Sequence, residues 1–177
     1  MKYFAVQVRT LKEDTYIQRI SDFLSFRPDK QEFFFPKRKL PIRRMGKTVH
    51  EIRPIFPGYI FVAADDIDPE LFNIMRATKD FTRFLKNNRD ITAIEGRDLT
   101  ILRHFLQFGG VTETSEVSFD ENDRIIVKSG PMQGLEGFIV KVDKRKKRAK
   151  ISLDFAKENF LIDLAFDVLE ENRNEPQ

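Results

Sequence analysis

The stretch Ile55-Phe56-Pro57-Gly58-Tyr59-Ile60-Phe61-Val62-Ala63 joins a Pro-Gly turn to an aromatic and β-branched run. That combination reads as a sheet strand entered through a tight turn. In a strand Tyr59 and Phe61 point to one face, and Ile60 and Val62 to the other. With Ile60 and Val62 in the core, Tyr59 and Phe61 form an aromatic patch on the opposite face; the competing reading has helices covering both faces.

Working outward, Tyr3–Val8 alternates as a second strand, with Phe4, Val6 and Val8 on one side. Lys12–Phe26 carries Tyr16, Ile17, Ile20, Phe23 and Leu24 at helical spacing, and Pro28 helps to end that helix. Glu32–Pro36 and Val49–Ile55 flank a basic stretch containing Met45-Gly46-Lys47, which predicts a long hairpin with glycine at its tip. Downstream, Pro69–Ala77 is a helix with Asp68 as N-cap, and Arg97–Phe108 is a third helix stopped by Gly109-Gly110. Val111–Asp123 is polar and acidic and reads as a linker. Short strands near 124–128, 137–143, 149–154, 159–164 and 168–169 then predict a small five-stranded barrel. The expectation is an α+β chain with a domain over 1–110, a flexible linker over 111–123, a barrel over 124–171 and a disordered tail over 172–177.

Composition narrows the function. The 177 residues include 18 Phe but no Cys and no Trp, so a disulfide framework, a thiolate zinc site and a cysteine nucleophile are excluded. The N-terminus is broken by polar residues too early for a signal peptide, and no apolar run reaches the roughly 20 residues that span a bilayer. A cytoplasmic protein is expected. Net charge is only +3, yet basic residues crowd Pro36–Arg53 and Lys141–Lys150, which suggests local contact with phosphate. Solvated turn tips are the plainer alternative.

Little points to catalysis. His50 and His104 fall in different elements without ligand spacing. Gly46-Lys47-Thr48 has the end of a phosphate loop, G-x-x-x-x-G-K-S/T, but Pro41 stands where the first glycine belongs. No metal, cofactor or enzyme constellation is expected. The tip Lys144-Arg145-Lys146-Lys147-Arg148, followed by Lys150 and preceded by Lys141, concentrates cations that repel one another unless a polyanion relieves them.

Two stretches carry a family resemblance. Phe56–Val62 resembles the P-G-Y strand of the N-terminal (NGN) domain of the NusG/Spt5 transcription factors. Ile126-Val127-Lys128-Ser129-Gly130-Pro131-Met132-Gln133-Gly134-Leu135-Glu136-Gly137 resembles the KOW motif, with its core G-P-F/M-x-G-x-x-G. The resemblance implies an NGN domain followed by an SH3-like KOW barrel. It also implies docking on the clamp helices of the largest RNA polymerase subunit, through Phe56, Tyr59 and Phe61 with Tyr3 possible, so that pausing is suppressed. Related specialised factors touch the exposed non-template DNA strand near the first strand–helix junction; here that region offers Arg9, Thr10 and Lys12, with Arg76, Thr78 and Lys79 near the second helix.

Housekeeping members carry a loop resembling I-F-G-R-x-T-P-V-E-L that contacts Rho or a ribosomal protein. Here the matching stretch runs Asp154-Phe155-Ala156-Lys157-Glu158-Asn159-Phe160-Leu161-Ile162-Asp163-Leu164. The chain therefore resembles a specialised paralogue of the LoaP-type antiterminators, a monomer whose basic KOW domain grips structured nascent RNA. A general housekeeping factor, and a KOW-type RNA- or ribosome-binding protein without polymerase contact, are the alternatives.

Overall fold

The structure is a computed structural model and describes residues 1–27 and 31–169. In chain order its elements are β1 (Lys2–Val8), α1 (Glu13–Leu24), β2 (Glu32–Phe34), β3 (Lys37–Arg44), β4 (Lys47–Pro54), β5 (Tyr59–Ala64), α2 (Pro69–Ala77), β6 (Phe81–Phe84) and α3 (Gly96–Leu106). They are followed by β7 (Val111–Thr112), β8 (Ser115–Phe119), β9 (Ile125–Ser129), β10 (Ile139–Asp143), β11 (Arg148–Phe155) and β12 (Glu158–Val168). The chain is α+β, as expected, and divides into two compact units. One comprises Met1–Pro36 with Pro54–Leu106, the other Lys37–Arg53 with the chain from Gln107 onward.

In the first unit the aromatic strand β5 is central, in the antiparallel order β2-β5-β1-β6. Register pairs Phe4 with Val62 and Val6 with Ile60 on one face, and Ala5 with Phe61 on the other. On the first face α1 and α2 bury Tyr16, Ile20, Leu24, Leu71 and Met75 against Phe4, Val6, Val8, Ile60 and Val62. The Tyr16 hydroxyl donates to the Met75 carbonyl at 2.8 Å, tying the two helices together; burial pushes its pKa above the ordinary tyrosine value. Asp68 caps α2 as expected, its carboxylate accepting from the Leu71 N–H at 2.8 Å.

The Pro-Gly turn is fixed from two sides. Gly58 has φ +81°, and a Cβ there would lie 3.1 Å from Thr10 Oγ1. Its N–H donates to the buried Glu13 carboxylate at 2.8 Å, while its carbonyl accepts from Val8 N–H at 2.9 Å. The turn therefore clamps the end of β1 to the start of α1, which explains a glycine at this position.

The second unit corrects the expected organisation. Its curled five-stranded sheet has the order β10-β11-β12-β8-β9. Residues 115–119, expected within a linker, form β8, which pairs with β9 and, in parallel, with β12. The fifth expected strand, near 168–169, is instead the end of the long β12 and the coil after it. The KOW turn explains why β8 belongs to the sheet. Ser115 is buried and its Oγ accepts from Met132 N–H at 2.9 Å. Gly130, at φ +92°, passes so close that a Cβ would stand 2.7 Å from Ser115 Cα.

The expected hairpin tip forms in β3–β4, turning at Met45 and Gly46, both with positive φ, the signature of a two-residue type I′ loop. Its first arm, however, is the basic stretch Lys37–Arg44 itself, and the expected flank near 32–36 supplies β2, which pairs with β5 in the first unit. The hairpin falls in the second unit rather than in a 1–110 domain. β3 pairs with β7, Lys37 opposite Val111, and Lys39 lies 3.1 Å from Glu113. The expected tail over 172–177 and the helix-ending Pro28 lie outside the described residues.

Candidate functional site

The aromatic face of the first sheet is covered rather than open. Phe56, Tyr59 and Phe61 are each at most 2% exposed, which corrects the expectation of a free Tyr59/Phe61 patch. Phe56 stands edge-on to Phe61 at 5.8 Å and to Phe105 of α3 at 6.0 Å, so α3 contributes a ring to the cluster. Both faces of β5 are buried, and strand alternation alone cannot tell such a strand from a half-exposed one. Only the rim stays partly accessible. Tyr3 and Phe34 lie on this same face, half-buried, with ring centroids 6.0 Å apart.

A basic corner forms where β1 meets α1 and α2 meets β6. Arg9 N–H donates to the Asp80 carbonyl at 2.9 Å, joining the two loops. The Asp80 carboxylate is nearly buried and holds Arg19 at 2.8 Å, with Arg9 at 4.0 Å. Arg9, Lys12, Arg76 and Lys79 are exposed, so the structure brings the two expected nucleic-acid segments to one edge. Between Arg9 and Lys12, Leu11 is exposed with φ +69°, a feature the sequence did not flag.

The cationic tip lies between β10 and β11, but acids from distant segments neutralise much of it. Lys144 bonds to Asp123 and sits 3.8 Å over the Phe119 ring; Lys147 is 3.5 Å from Asp167, and Lys150 3.4 Å from Asp163. Arg148 reaches Asp163 at 4.0 Å and donates to the Pro41 carbonyl. Among the described residues, Lys141, Arg145 and Lys146 make no ion pair. A cleft of about 130 Å³ opens here, lined by Lys141, Asp143, Lys146, Arg148, Lys150 and Asp163. The two histidines stay apart: His50 is exposed on β4, and His104 stands edge-on to Phe105 at 5.2 Å.

The sequence model of the NusG family, described as transcription termination factor NusG, matches residues 1–103. The chain belongs to the NusG family. The transcription termination/antitermination protein NusG of Neisseria meningitidis is 24% identical over 176 residues, covering 96% of this chain and 97% of that protein. Its counterpart from Helicobacter pylori is 19% identical over 174 residues, covering 96% and 98%. Among solved structures, one titled "Domain interaction in Thermotoga maritima NusG" superposes with a TM-score of 0.59 over 93% of each chain, at 16% identity. That likeness concerns the fold alone. No helix among the described residues is long and apolar enough to cross a membrane.

Proposed function

We propose that this NusG-family chain binds RNA polymerase through its first unit and suppresses pausing and termination, while the β10–β11 tip contacts nascent RNA. The observation carrying this reading is the family match over residues 1–103, which takes in every strand of the first unit. The relatives' names, termination/antitermination proteins, support the same class of activity.

The docking face is the sheet surface of Tyr3, Phe34, Tyr59 and Phe61, aimed at the clamp helices of the largest subunit. As the chain stands, Tyr3 and Phe34 are the reachable rings. Tyr59, Phe61 and Phe56 lie beneath and engage only when their cover is displaced. A factor that prefers the active conformation of its partner shifts the population toward it, and no catalytic step is needed. In this reading the corner of Arg9, Lys12 and Lys79 meets the non-template strand and the tip residues Lys141, Arg145 and Lys146 meet RNA phosphates, the chain acting as a monomer; the exposure of these side chains supports it.

The test is binding of core RNA polymerase to the full chain and to Tyr3→Ala/Phe34→Ala. Truncating these rim rings spares the core, whereas Tyr59→Ala/Phe61→Ala would remove two buried aromatics at about 3–5 kcal/mol each. Retained folding with lost binding supports the assignment. Undiminished binding removes this face from the proposal, and no binding by either protein leaves free RNA binding as the better reading.

A further inference from the structure

Two basic runs that are remote in sequence meet in the second unit. Their joint is the hydrogen bond from the Arg148 guanidinium to the Pro41 carbonyl, 107 residues away. Around it Arg38 feels the charges of Asp163, Arg53 and Arg148, and Arg148 reaches Asp163 at 4.0 Å, while Arg44, Arg53 and Arg148 face Glu51. Burial lowers the Arg38 pKa to about 10, Asp163 opposing the shift and the charges of Arg53 and Arg148 adding to it; the group is still cationic at neutral pH.

From this joint each hairpin carries further cations outward. The end of β3–β4 presents Arg43 and Lys47, both exposed. The β10–β11 loop presents exposed Arg145 and Lys146. Register sets Lys141 directly opposite Lys150, an arrangement of like charges that costs stability unless a counter-charge arrives. Lys150 has Asp163 at 3.4 Å. Arg43, Lys47, Lys141, Arg145 and Lys146 have no ion-pair partner among the described residues.

Neither hairpin supplies a stacking platform. Residues 37–53 and 139–150 contain no Phe, Tyr or Trp. Single-stranded nucleic acid is gripped largely by stacking bases on aromatic rings, whereas duplex RNA is recognised mostly through shape and backbone. Cations without aromatics fit the duplex.

We propose that the β3–β4 and β10–β11 hairpins form one composite surface for duplex RNA, with the cleft of Lys141, Lys146 and Lys150 seating a backbone phosphate and Arg43 and Lys47 holding a second stretch of backbone. This rests on the reading of the tip as an RNA contact and adds the β3–β4 hairpin to it. Of the two acids in the cleft, Asp163 pairs with Lys150 and Arg148, and Asp143 accepts from the Lys146 backbone N–H; together they limit the cleft's positive charge.

The experiment measures binding of the full chain to a fluorescent stem-loop RNA across a salt series, with Arg43→Ala/Lys47→Ala, Arg145→Ala/Lys146→Ala and the four-fold variant. All four side chains are exposed, and unchanged circular dichroism verifies folding. Each lost phosphate contact lowers the salt slope by about 1, so each pair should lower it by about 2 and weaken binding. If the tip pair weakens binding and the β3–β4 pair does not, the composite surface is overturned while the tip reading stands. If RNA is not bound, or neither pair matters, the RNA reading itself falls. A DNA duplex of the same sequence bound as tightly, or an unpaired strand bound more tightly, overturns the commitment to duplex RNA.

Discussion

Replacing Gly130 by alanine puts the packing of the KOW turn against β8 under direct strain. The new Cβ would lie 2.7 Å from Ser115 Cα and 3.0 Å from Ser115 Oγ. Carbon atoms pack at roughly 3.5–4.0 Å, so the turn or β8 must yield by about 1 Å. Overpacking of this kind costs about 1–3 kcal/mol. Gly130 also has φ +92°, and a left-handed backbone costs an L-residue about 1–2 kcal/mol. The sum is about 2–5 kcal/mol. Gly134 provides the internal control: its φ is +86°, but nothing lies within 4 Å of a Cβ built there. Gly134→Ala therefore carries only the backbone cost, about 1–2 kcal/mol. Urea denaturation of both variants, followed by far-UV circular dichroism, should place Gly130→Ala below Gly134→Ala by about 1–3 kcal/mol. Equal losses would mean that the Gly130 turn does not press on Ser115, and the placement of residues 115–119 in the sheet would be refuted.

The β11–β12 turn places Ala156 and Lys157 at φ +53° and +65°, where Asn-Gly is favoured. Ala156→Asn/Lys157→Gly should accordingly raise stability by about 1 kcal/mol, seen as a higher thermal midpoint; a lower midpoint would contradict a type I′ turn. The Asp68 carboxyl is held below the ordinary range by the Arg27 hydrogen bond first and then by the Leu71 N–H. A depressed folded pKa contributes stability that is present above the unfolded value, near 4, and lost as pH falls through the folded one. Asp68→Ala should thus lose about 1 kcal/mol at pH 7, with the gap to the parent closing below that range; a gap that persists in acid would show that the charge plays no part.

The first unit was largely legible. Apolar alternation located β1 and β5, helical spacing located α1, and Asp68 marked the start of α2 to the residue. β6 escaped because it spans four residues and its pairing with β1 is interrupted by a bulge at Gln7/Val8. β8 escaped because Ser115 and Ser118 are buried polar residues; at the sequence level such residues look like linker, and only the Met132 and Gly130 contacts of Ser115 reveal otherwise. The hairpin tip Met45-Gly46 was readable, but not the unit it joins, since that depends on Pro41 and Arg38 meeting residues from far along the chain.

The site was less legible for the same reason. Phe56, Tyr59 and Phe61 carry the family pattern, yet their burial depends on cover from segments distant in sequence such as α3. The run Lys144–Arg148 promised five free cations. Asp123, Asp163 and Asp167 take up Lys144, Arg148 and Lys147, and nothing in local sequence announces those pairings.

Antitermination itself is best tested by single-round transcription with core RNA polymerase on a template carrying a strong pause and an intrinsic terminator, with and without the full chain. The account predicts shorter pause lifetimes and more read-through when the chain is added, both lost with Tyr3→Ala/Phe34→Ala. Unchanged pausing and termination, or increased termination, would contradict it.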